Sequence, residues 1–292
     1  MWLGQSRGYL TDWITRRWVE ITGKPVRDDD ACWLDGPIGN TTRIGKESVA
    51  EIAASEGLAI DGTTEPRGLL ERFAALGSAA FASEKVHPEV AAFYEQTSRY
   101  EMDACAHWCG FFQPFGVLLA FIFSRRLQQL NVPLSGLDTS RGMTAEVLQL
   151  RDAASGALRY TAWIRELLHT GNVLYAGFYS ICTPPKYGSP CIKVVFPLPN
   201  GNAIVVMKPQ THDDGSFTLA SSGNGFGDAG FYFTIRKPDG RLIARYVKSL
   251  KEWITVYARN NGEIRADHTL KYFGITFLRL HYRMRQRVVH EP

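Results

Sequence analysis

Two histidines near the C-terminus have the neighbours that acid/base chemistry needs. Asp267 immediately precedes His268, and His281 follows Arg279 two residues behind it. A carboxylate that orients an imidazole, with a second imidazole close by, makes a general acid/base pair that works near neutral pH. Arg279 or Tyr175 would then stabilise negative charge developing on a substrate. If the terminal segment is a strand, Ile275, Phe277, Arg279, His281 and Arg283 share one face, and Thr276, Leu278, Leu280, Tyr282 and Met284 share the other. The second face is core. The first, apolar at its start and cationic at its end, is either an outer surface shading into solvent or the wall of a cavity.

Aromatic residues supply the second set of candidates. Trp163, Tyr175, Tyr179 and Tyr232 are spread over several segments of alternating pattern, where rings can line a curved sheet and hold a large apolar ligand. Tyrosine hydroxyls buried there need partners, and Arg159, Arg165, Gln149 or a ligand oxygen can serve.

Other clusters carry less. The loop from Ser221 to Gly230 is glycine-rich, but it leads into Phe231–Ile235, a strand pattern, whereas a phosphate cradle opens a helix. Cys105, His107 and Cys109 lie in a predicted helix, where the two thiols share a face and the imidazole points away, so no metal site is predicted. Asp28, Asp29, Asp30 and Asp35 lack the spacing of a calcium loop and read as a solvated turn. No Gly-x-Ser-x-Gly, His-Glu-x-x-His or Walker sequence occurs, and no cofactor is implied.

Composition narrows the classes further. With 33 basic and 29 acidic side chains the net charge is +4, too balanced to point to nucleic acid. Five scattered cysteines read as reduced thiols, and the N-terminus has no signal-peptide pattern, so a cytoplasmic protein is expected. The run Phe115 to Phe123 is wholly apolar but far shorter than the ~20 residues that span a bilayer. It reads as a buried helix, with a membrane-surface role as the lesser alternative.

These side chains must be placed by two kinds of element. Up to about residue 137 the pattern predicts helices, one starting at Thr64 and Pro66 and stopping before Gly77, the longest running from His87-Pro88 through Val90, Phe93, Thr97, Tyr100 and Ala104 to Trp108, followed by one over Leu118 to Leu130. From about Thr144 the period becomes two, giving some ten strands, among them Leu158 to Leu167, Cys191 to Leu198, Gly230 to Arg236 and Leu242 to Val247, joined by turns such as Pro238-Asp239-Gly240 and Asn260-Asn261-Gly262. The expectation is an α+β protein: a helical region 1–137 packed on an antiparallel β region 138–292, the latter a large curved sheet or partly closed barrel sharing one core with the helices.

The functional expectation is a cavity in the β region for a hydrophobic, oxygen-bearing small molecule. Chemistry there would be cofactor-independent isomerisation, cyclisation or lysis. A non-catalytic carrier or interaction protein, and a peripheral membrane protein, are the alternatives.

Overall fold

The computed structural model describes residues 10–26, 32–39, 46–63, 65–110, 143–168, 173–198 and 201–287. The first part of the chain holds α1 (Leu10–Thr22), β1 (Lys24–Val26), α2 (Lys46–Ser55), β2 (Leu58–Ile60), α3 (Pro88–Glu95) and β3 (Tyr100–Trp108). The rest is strand: β4 (Met143–Asp152), β5 (Leu158–Leu167), β6 (Val173–Cys182), β7 (Cys191–Leu198), β8 (Gly201–Thr211), β9 (Phe217–Ala220), β10 (Gly230–Arg236), β11 (Leu242–Val247), β12 (Leu250–Ala258), β13 (Ile264–Tyr272) and β14 (Ile275–Gln286).

All these strands join one antiparallel sheet in the order β2-β4-β5-β6-β7-β8-β9-β12-β13-β14-β3. The sheet forks at β8, whose first half pairs with β10 and whose second half pairs with β9. From β10 the ladder continues through β11 to β1. The sheet curls until β3 comes alongside β4, but the two ends exchange no strand pairing among the described residues, so the sheet is not closed. Arg287 stitches this seam, its amide donating to the Arg99 carbonyl at 2.7 Å and its Nη2 to the Ala145 carbonyl at 3.2 Å.

The helical first half expected from the sequence does not form. Only three α-helices occur among the described residues, and β1, β2 and β3 of the first half are part of the sheet. The decisive departure follows His87. Pro88 and the His87 ring, which accepts from the Glu89 amide at 3.3 Å, start α3, yet it ends at Glu95. The Thr97 hydroxyl then bonds the Phe93 carbonyl at 2.7 Å, and the chain extends into β3. There Tyr100 and Met102 are buried while Glu101 and Asp103 are exposed, a period of two that mates with β14. The spacing of Thr97, Tyr100 and Ala104 imitated a helix by coincidence of the two periods. Between Thr64 and Gly77, where another helix is expected, the described residues hold a single 3₁₀ turn at Phe73–Leu76. The predicted helix over Leu118 to Leu130 and the apolar run before it lie outside the described residues.

Strands β5 to β8 are buried on both faces. One face joins Trp33, Leu34 and the Val49, Ile52 and Ala53 face of α2 in an outer core with Tyr160, Ala162, Phe178, Val195 and Ile204. The other, concave face joins α3 and the segment from Leu69 to Val86. Alternation along each strand therefore decides which of two interiors a side chain enters. No helix among the described residues is long and apolar enough to cross a membrane.

Candidate functional site

The concave interior is not packed solid. It encloses a cavity of about 400 Å³, inside the ~300–1,000 Å³ range of small-molecule sites. Val205 and Met207 of β8, Leu219 of β9, Ile254 and Val256 of β12 and Leu280 of β14 give it a largely aliphatic wall, to which α3 adds Phe93 and Tyr94.

A few ionisable groups interrupt this lining. Arg165 of β5 is 9% exposed, and its guanidinium carbon sits 3.7 Å from the Trp163 ring centre, 4.6 Å from Tyr175 and 5.6 Å from Tyr282. The cage is a product of register: Trp163 and Arg165 are two apart on β5, and Tyr175 is the cross-strand partner of Arg165 on β6. Gly177 completes it, because a Cβ there would stand 2.7 Å from the Tyr175 hydroxyl. The Tyr175 ring thus folds back along β6 and places its hydroxyl 2.7 Å from that of Tyr179. Ring faces attract the cation but offer it no lone pair. No carboxylate lies within ion-pair distance of Arg165 among the described residues, and its Nε is buried without a partner in the protein.

Glu252 of β12 and His268 of β13 form a second group, Nε2 and Oε2 being 2.9 Å apart. Both side chains are almost wholly buried. With the carboxylate accepting from Nε2–H, the other ring nitrogen, Nδ1, is left buried and unpartnered. Tyr282 stacks on this imidazole at 6.3 Å and so links the dyad to the arginine cage. Burial raises the pKa of Tyr175 and Tyr282, against the pull of the Arg165 cation. Burial also pushes the Tyr179 hydroxyl up to about 12. All three phenols are therefore protonated at neutral pH and can donate.

The indole N–H groups of Trp163 and Trp108, both in the lining, are likewise buried without a partner. Arg165 Nε and the two indoles are obligate donors. Buried donors are as a rule satisfied, so a cavity edged by unpartnered ones is chemically matched to a guest carrying acceptor oxygens.

Of the residues singled out in the sequence, His268, Trp163, Tyr175 and Tyr179 line this cavity. His281, Asp267 and Arg279 do not. The Asp267 carboxylate and His281 Nδ1 are 2.7 Å apart, but on the outer face, with side chains 50% and 56% exposed. Asp267 and His268, being neighbours on a strand, point to opposite sides, so the acid that orients His268 is Glu252 rather than Asp267. Tyr232 faces the outer core, packed on Trp33 and donating to the Asp228 carbonyl at 2.5 Å. The sequence reading missed Glu252 and Tyr282 and held Arg165 only as a partner for tyrosine. The available signal was one ionisable residue inside an inward apolar register: Glu252 among Leu250, Ile254 and Val256, and His268 among Ile264, Ala266 and Leu270.

Of the remaining clusters, Asp28, Asp29 and Asp30 lie outside the described residues. The glycine-rich loop is tied down by Asp228, which accepts from the amides of Asn224 and Ala229 and pairs with Lys208 at 2.7 Å. Cys105 and His107 share the exposed face of strand β3, which corrects the helical geometry assumed for them; no metal-holding cluster occurs among the described residues. Cys182 and Cys191 are free thiols opposite each other on β6 and β7, and burial pushes Cys182 up to about 12, far from a reactive thiolate.

No family model matches the chain, and no solved structure matches it. A curated relative is described as "Uncharacterized membrane protein YndJ" of Bacillus subtilis, 27% identical over 266 residues. The match takes in 91% of this chain and 45% of the relative, so the chain spans less than half the length of the curated protein it matches.

Proposed function

We propose that the chain binds a hydrophobic, oxygen-bearing small molecule within the concave face of its sheet. The observation that carries this reading is the pairing of a cavity of about 400 Å³, mostly aliphatic, with buried donors on Arg165, Trp163 and Trp108 that the protein leaves unpartnered. An interior meant only for stability would be filled, since empty apolar volume costs stability and buried donors without acceptors cost more. The description of the relative as a membrane protein favours a ligand of the kind found in bilayers.

A second reading adds chemistry. The buried Glu252–His268 pair presents an oriented imidazole in the same lining as a guanidinium and the phenols of Tyr175, Tyr179 and Tyr282, the parts of an acid/base site with an anion stabiliser. Carrier and enzyme separate in one experiment. The purified chain is incubated with a lipid extract, and what it retains is recovered and identified by mass spectrometry. A compound recovered unchanged from wild type supports the carrier. Conversion by wild type that stops in a folded His268→Gln variant supports the enzyme. Retention of nothing, or retention lost on His281→Ala and kept on His268→Gln, refutes the placement of the site inside the sheet.

A further inference from the structure

The polar end of the cavity says more than that the guest carries oxygen. We infer that it is a monocarboxylate with an aliphatic body, held by Arg165; this rests on the cavity being the binding site.

Charge accounting within the cavity leads to this class. Its ionisable lining residues are Arg165, Glu252 and His268, with the neutral phenols of Tyr94, Tyr175, Tyr179 and Tyr282. Glu252 is engaged by His268 at 2.9 Å, whereas Arg165 has rings on its faces and no carboxylate within ion-pair distance among the described residues. A guanidinium is permanently charged, and burying its N–H fork short of acceptors is costly even with Glu252 elsewhere in the lining. The missing partner is one planar anion able to take parallel N–H···O bonds, which is what a carboxylate does. A phosphate monoester, carrying nearly two charges, would bring about one more negative charge than a carboxylate into a cavity that already contains Glu252. An amine would meet Arg165 as a like charge. An alcohol would offer a single acceptor atom where the planar fork can use two. Beyond the cage the lining turns to Val205, Met207, Leu219, Ile254 and Val256, which accept a flexible hydrocarbon and offer it no polar contact.

The test uses the full chain and a neutral solvatochromic dye, Nile red, displaced by dodecanoate, dodecanol, dodecyl phosphate and dodecylamine below their micellar concentrations. Dodecanoate should displace the dye at concentrations roughly 10- to 100-fold lower than dodecanol, the span expected for charge-assisted hydrogen bonds to a buried cation. Arg165→Met should erase that preference and leave dodecanol binding within about threefold. Arg165→Lys, which keeps the charge but loses the planar fork, should retain part of it. Arg165→Gln serves where the methionine variant does not fold, and the wild-type ranking decides by itself should neither fold. Equal displacement by acid and alcohol, a phosphate that outcompetes both, or a preference that survives Arg165→Met or Arg165→Gln overturns the inference while leaving the cavity as a binding site. No uptake of dye, and no displacement by any of the four, sinks the cavity reading itself.

Discussion

Adding a ring to the interior should be tolerated at one alanine and not at another that is equally buried. Ala266 of β13 is 3% exposed and lines the cavity, whereas Ala176 of β6 is 2% exposed and belongs to the outer core, away from that lining. Phenylalanine at position 176 has no space to enter, and over-packing of this kind costs about 1–3 kcal/mol. Phenylalanine at position 266 can swing into about 400 Å³ of space. Burying its ring is worth about 1.5–3 kcal/mol, which offsets local strain and leaves the fold within ~1 kcal/mol of wild type. The two variants should differ by about 2 kcal/mol, a separation near 1 M in urea midpoint for a slope of roughly 2 kcal/mol/M. Equilibrium urea unfolding followed by tryptophan fluorescence measures this, and Nile red uptake gives an independent readout, lost in Ala266→Phe and kept in Ala176→Phe. Equal destabilisation of both variants with unchanged dye uptake would mean that the concave interior is as full as the outer one.

Two other outcomes follow from the loop that leads into β10. Gly230 has φ 147°, and a Cβ there would stand 2.5 Å from Cε2 of Tyr246. Gly230→Ala should therefore cost about 1–3 kcal/mol, read as a fall of several degrees in Tm by scanning calorimetry. Burial works to raise the pKa of Asp228, but Lys208 and the amides of Asn224 and Ala229 outweigh it and hold the carboxyl below its ordinary value. A depressed folded-state pKa gives stability that is present above the unfolded value and lost as pH falls through the folded one. Asp228→Asn should accordingly be less stable than wild type at neutral pH, with the gap in urea midpoint closing as pH drops below ~4. A gap that stays constant into strong acid would show that the charge of Asp228 contributes nothing.

How far the fold could be read from sequence depended on how strongly each strand alternates. Leu158–Leu167, Cys191–Leu198, Gly230–Arg236 and Leu242–Val247 were legible to the residue, being rich in β-branched and aromatic side chains between turn sequences. Strand Ile264–Tyr272 was not, because two of its inward positions are Ala266 and His268 and its outward ones are charged or polar, leaving a weak hydrophobic signal. Tyr100–Trp108 was lost to a helix for the reason already given: its apolar residues meet both periods. The site was half legible for a related cause. Alternation assigned Tyr282 to the packed face of its strand and left the face of His281 open between an outer surface and a cavity wall. Preferring His281 as the chemical residue took the second of these, whereas its side chain is 56% exposed. Glu252 could be paired with His268 only through the β12–β13 ladder, in which Glu252 stands opposite Leu270 and Ile254 opposite His268. That contact depends on which strands become neighbours, which no local pattern states.

Strands β5 to β8, whose neighbouring residues enter different interiors, impose a division of labour along the chain. Odd-numbered positions of β5 such as Trp163 and Arg165 line the cavity, and Ala162 and Ile164, the even-numbered residues beside them, pack into the outer core. Selection for a new guest can therefore rewrite every second residue of these strands while the intervening ones stay fixed. A single-residue insertion is a different matter: by exchanging the two sets it would drive a guanidinium into the packed layer and empty a row of aliphatic side chains into the chamber. Lineages descended from this architecture should thus diverge by substitution within these strands and confine changes of length to the turns.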